Sequence, residues 1–128
     1  MKVYLAGGMA EDWREKVRER FRLTKNIVFF DPTSTQFKDP KHYTNWDLKA
    51  IDRCDVLFAY LEDSNPSGLG MSAEIGYAKA LNKIIIFVNE QVDNKYTPFL
   101  RECSDYYEFD LDDGMDCLSR VNWLLRRP

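Results

Sequence analysis

Histidine is almost missing from this chain. His42 is the only one, which leaves a serine, histidine and acid triad or a histidine metal cluster with very little support. Cysteine is scarce as well. Cys54, Cys103 and Cys117 are odd in number, scattered, and without paired spacing to histidine, a pattern that fits buried thiols better than disulfides or zinc ligands. Long apolar runs are absent: Ile84 to Val88 is far short of the roughly 20 residues that a membrane-spanning helix requires. A basic excess is absent too, since the net charge is -3 and the pI about 5.2, and this argues against a nucleic-acid backbone as partner. No small-residue cleavage site follows Lys2, so neither export nor a membrane partner is expected and a cytoplasmic location follows by default.

What is present describes an ordinary globular protein. The 128 residues suffice for one domain, expected over 1–128, and 45% hydrophobic with 30% charged residues is the balance of a folded chain. Hydrophobic periodicity then alternates between two periods. Lys2 to Ala6 reads as a strand ending in Gly7-Gly8, and Trp13, Val17 and Phe21 recur as the stripe of a helix. Ile27 to Phe30 is a second strand, stopped by Asp31-Pro32; Asp39 to Tyr43 reads as loop and Thr44 to about Arg53 as a helix with Leu48 and Ile51 inward. Asp55 to Leu61 is a third strand, Glu62 to Gly70 a polar loop, and a helix runs to about Leu81 before the strand Ile84 to Val88. Asn89 to Pro98 reads as a polar connection, Tyr106 to Phe109 as a fifth strand, and Met115 to Leu125 as a terminal helix with Leu118, Val121, Leu124 and Leu125 apolar. Such alternation predicts an α/β, doubly wound, flavodoxin-like three-layer sandwich around a five-stranded parallel sheet.

Several nucleotide folds of this architecture are tested by residue. A dinucleotide fingerprint needs spaced glycines after the first strand, and Gly7-Gly8-Met9-Ala10 does not supply them. No lysine followed by a hydroxyl opens a helix, which excludes a P-loop. A phospho-acceptor aspartate belongs at the end of the third strand, whereas Asp55 opens it. The informative segment is Ser67 to Ala78, where Glu74 sits just inside a helix after a glycine-rich turn, at the carboxyl end of the sheet where ligands of such folds bind. A glutamate near a helix N-terminus is expected to stay ionised at neutral pH through the helix dipole, although glutamates also decorate first helical turns without any chemistry.

Three blocks resemble the nucleoside 2-deoxyribosyltransferase superfamily, which includes nucleoside 5'-monophosphate N-glycosidases: Val3 to Gly8, Asn45 to Leu48 running on to Cys54-Asp55-Val56, and Gly68 to Ala80 with Lys83 to Ile86. The third is the specific one. The resemblance implies cleavage of an N-glycosidic bond through an oxocarbenium-like state, with Glu74 as nucleophile, Tyr4 orienting its carboxylate, and Asp47 contacting substrate and assisting departure of the base. Asp47 also has a structural reading, as N3 of a capping box begun by Thr44. Gly7, Gly8, Met9, Asp63, Ser67, Gly68, Gly70 and Tyr106 are the implied substrate-binding residues, with Asp63 farther upstream of the glutamate than the family spacing. Gly7 and Gly8 also suit a tight turn without any ligand, and Ser67 an ordinary loop. Tyr106 stands where the family's neighbouring subunit supplies an asparagine, and the first glycine loop holds no arginine before Arg14. No metal or other cofactor is implied. The implied substrate is a nucleoside or nucleotide and the implied assembly a homodimer or higher homo-oligomer. Transfer of the sugar to another base is the favoured reaction; hydrolysis of a nucleoside 5'-monophosphate and a non-catalytic nucleotide-sensing module are the alternatives.

Overall fold

A computed structural model describes residues 1–9 and 12–126. Five strands, β1 (Lys2–Gly7), β2 (Val28–Phe30), β3 (Val56–Leu61), β4 (Ile84–Asn89) and β5 (Tyr106–Glu108), form one sheet in the order β2-β1-β3-β4-β5, with every pair parallel. Parallel strands need crossovers, and helices supply them: α1 (Trp13–Arg20), α2 (Pro40–Arg53), α3 (Leu69–Ala80), α4 (Pro98–Cys103) and α5 (Leu111–Arg126). The expected doubly wound fold is therefore what the chain adopts.

Strand side chains alternate between two cores. Val3, Leu5, Val56 and Phe58 pack with Trp13 and Val17 of α1 and Leu118 and Val121 of α5, while Tyr4, Ala6, Leu57 and Ala59 pack with Ile51 of α2 and Met71, Ile75 and Ala78 of α3. The chain leaves β1 for β2 on one side and returns to β3 on the other. The carboxyl ends of β1 and β3 thus flank the switch point at which an open α/β sheet leaves a crevice.

Several expected boundaries move. Helix α2 starts at Pro40, not Thr44, because Asp39 accepts a hydrogen bond from the Lys41 N–H at 2.9 Å and proline suits the first helical position. Thr44 and Asp47 lie inside the helix, so the capping box is not formed. Helix α3 begins at Leu69 behind Gly68, and α5 at Leu111. Helix α4 falls within a stretch read as connection; with six residues and Phe99 exposed it has no apolar stripe to betray it. Leu124 and Leu125 remain about half exposed rather than joining the core. Cys54 and Cys117 are buried thiols. No helix among the described residues is long and apolar enough to cross a membrane.

Candidate active site

A cleft of about 730 Å³ opens over the carboxyl ends of β1 and β3, between α2 and α3. Glu74 and Asp47 line it, and so do Gly7, Gly8, Met9, Ser67, Gly68 and Gly70. The Tyr4 hydroxyl donates a hydrogen bond to Glu74 Oε2 from the fully buried core side of β1. Tyr4, Asp47 and Glu74, from three separate elements, are therefore brought together.

Burial governs the electrostatics of this group. It pushes the Glu74 carboxyl from its ordinary 4.5 up to about 7; the Tyr4 hydrogen bond pulls downward, nearby Asp47 adds to the rise, and the Arg14 guanidinium opposes it. Burial likewise pushes Asp47 from 3.8 to about 6, opposed by Tyr4 and Arg14. The Tyr4 phenol is driven far upward by burial and by Glu74, so it stays a proton donor. This corrects the expectation of a carboxylate kept fully ionised by the helix dipole. Glu74 is the sixth residue of α3, beyond the first turn in which the dipole acts, and desolvation prevails. Two acids that sense each other titrate as a pair, which retains a proton close to neutrality.

The glycines at the end of β1 have structural work of their own. Gly7 has φ +151°, and a Cβ there would stand 2.5 Å from the Tyr60 carbonyl oxygen; one on Gly8 would fall 2.2 Å from Glu62 Oε1. Ser67 Oγ accepts a hydrogen bond from the Leu69 N–H at 3.2 Å, so its hydroxyl helps to start α3 while facing the cleft.

One residue expected in this cleft lies elsewhere in the fold. Asp63 borders a separate hollow of about 230 Å³ with Tyr60, Glu62 and Glu90, because the loop turns it to the α1 side of the sheet. Tyr106, expected where a neighbouring subunit completes the site, is on β5, the edge strand, and is 38% exposed. Others were not anticipated: Thr33, Thr35, Gln36 and Phe37 after β2, Tyr43 on α2, and Asn65. The rule placing ligands at strand carboxyl ends covers the segment after β2, which makes its contribution legible in retrospect. Arg14 also lines the cleft, though it is only 3% exposed; an arginine in the first turn of a helix gives no sequence sign of burial.

Residues 1–92 match the family described as nucleoside 2-deoxyribosyltransferase like. The chain belongs to that family. Among solved structures, a 2-desoxiribosyltransferase from Leishmania mexicana is 26% identical, with a TM-score of 0.59 over 68% of this chain and 63% of that one. The chain thus spans less than two thirds of that enzyme's length. A CMP N-glycosidase from Clostridium botulinum is 24% identical, with a TM-score of 0.64 over 93% of this chain and 98% of that one, a likeness of fold. Comparison with curated proteins gives no match.

Proposed function

We propose that this protein cleaves the N-glycosidic bond of a nucleoside through a glycosyl-enzyme on Glu74 and passes the sugar to a second nucleobase. The observation that carries this reading is the joining of Asp47 and Glu74, which line an open cleft, with Tyr4 buried beneath them. A Glu74 carboxylate oxygen attacks the anomeric carbon as the bond to the base breaks, and the base leaves with the electron pair. The pair retains a proton close to neutrality that rests mainly on Glu74, so the reactive form is the one in which that proton sits on Asp47, which then passes it to the departing base. The Tyr4 O–H holds one Glu74 oxygen and leaves the carboxylate oriented towards the cleft. A second base then attacks the same carbon, expels Glu74 and returns a proton, so that configuration is retained.

The choice of an uncharged nucleoside over a 5'-monophosphate rests on the cations. Among the described residues that line the cleft, Arg14 is the only lysine, arginine or histidine, and its guanidinium is already engaged by backbone carbonyls. The second reading, hydrolysis of a nucleoside 5'-monophosphate, is supported by the near full-length likeness to the CMP N-glycosidase.

The deciding experiment incubates the protein with nucleosides, deoxynucleosides and 5'-monophosphates, with and without excess of a different free base, and separates products chromatographically. New nucleoside in proportion to added base is the expected result. Free sugar alone at every base concentration would replace transfer by hydrolysis, and binding without any product would leave the sensing module.

A further inference from the structure

Arg14 is a buried cation directly behind the site. Its Nη1 donates to the Gly8 carbonyl at 2.7 Å, Nη2 to the Gly7 carbonyl at 3.1 Å and Nε to the Leu5 carbonyl at 3.2 Å, while Asp31 Oδ1 stands 3.7 Å from Nε. One planar group thereby ties together the last turn of β1, the strand that carries Tyr4. The Gly8 carbonyl receives a second bond from Trp13 Nε1 at 3.1 Å, and the guanidinium lies 4.5 Å from the Trp13 ring centre.

Asp31 does not simply cancel this charge, because Arg18 also pairs with it. The titratable groups that face Arg14 are Asp31 after β2, Tyr4 on β1, Glu74 on α3 and Glu62 after β3, and Asp47 on α2 feels it as well. Lysine would keep the charge but not the fork that reaches three carbonyls.

We propose that Arg14 is a positioning residue of this site, fixing the Gly7-Gly8 turn through its hydrogen bonds and balancing the negative charge of the Glu74 and Asp47 pair. The consequence for rate rests on the glycosidic reading above; the charge and the turn do not.

The test therefore reads the carboxyls directly, by carbon NMR of the Glu74 and Asp47 side chains across pH, with Glu74→Gln and Asp47→Asn spectra for assignment. In Arg14→Met both midpoints are expected to rise by about one pH unit. In Arg14→Lys they stay near wild type, while the carbonyl carbon signals of Leu5, Gly7 and Gly8, the three acceptors of the guanidinium, move by more than their linewidths. Unmoved midpoints in folded Arg14→Met overturn the charge-balancing role. If that variant does not fold, Arg14→Met with Asp31→Asn removes both members of the buried pair and is read in the same way. Unmoved carbonyl signals in Arg14→Lys overturn the positioning role, and decide the matter if neither methionine variant folds. If wild-type protein releases no base from any substrate while the Arg14 variants show these shifts, the proposed reaction is refuted and the role of Arg14 stands.

Discussion

Two tyrosine and glutamate pairs stand at the carboxyl end of the sheet, one on each face. Tyr4 on β1 donates to Glu74 on the α3 side; Tyr60 on β3 donates to Glu90 Oε2 at 2.7 Å on the α1 side. Their chemistry differs because of what else each carboxylate meets. Glu90 has both oxygens engaged, the second accepting the Asp63 N–H at 3.0 Å, and it borders the smaller hollow. Glu74 faces the large cleft, is pushed up to about 7 by burial, and has a second acid, Asp47, close enough to be felt. A tyrosine bonded to a glutamate is thus no signature by itself. Burial, a neighbouring acid and space for a ligand separate the two.

The largest effect that sharpens this contrast is kinetic. Glu74→Gln is expected to lower base release by at least about a thousandfold while the protein stays folded, since it removes the attacking oxygen and little packing. Glu90→Gln should change the same rate by less than about threefold, because its carboxylate serves the fold and faces another hollow. Comparable losses in the two variants, measured as free base released by folded protein, would break the comparison.

Next in size is an effect on stability whose sign follows from the direction of the shift. Glu74 binds its proton more tightly when folded, so between its ordinary 4.5 and about 7 the native state holds more protons than the unfolded chain, and stability falls as pH rises. The penalty is complete above about pH 7 and absent below about pH 4. Removing the ionisable group in Glu74→Gln should therefore stabilise the protein by up to about 3 kcal/mol at pH 8 and by little at pH 4. Asp47 adds a decline of the same sign between 3.8 and about 6, which the variant keeps. Urea unfolding at the two pH values measures the difference. An equal gain at both would mean that Glu74 is not held above its ordinary range.

The sequence discloses the strands of this site better than its electrostatics. β1, β3 and β4 are continuous apolar runs buried on both faces, so period and length identify them and put Glu74 at the correct end of the sheet. The start of α2 was less legible because two capping signals follow one another. Asp39-Pro40 prevails over Thr44, since the earlier signal lets the helix gain a further turn. Asp63 and Ser67 lie in one loop, and the pattern of residues does not say which of them turns to the α3 side. Arg14 shows the limit most clearly. Its burial depends on the Gly7 and Gly8 carbonyls turning inward, a tertiary fact that no periodicity records.

The smallest effect isolates the second pair. Tyr60 is 7% exposed and its ring packs edge-on against Trp13 at 5.2 Å, contacts that phenylalanine preserves. Tyr60→Phe removes the bond to Glu90 and should cost about 1 kcal/mol of stability, the net worth of a hydrogen bond to a carboxylate that keeps another partner. It should leave the pH dependence of base release unmoved, because Glu90 is outside the cleft. Tyr4→Phe withdraws a hydrogen bond that stabilises ionised Glu74, so the rise of activity with pH should shift upward. Urea unfolding at pH 7 together with a pH profile of base release for both variants makes the test. A profile displaced by Tyr60→Phe as far as by Tyr4→Phe would mean that the two faces of the sheet are electrostatically one site.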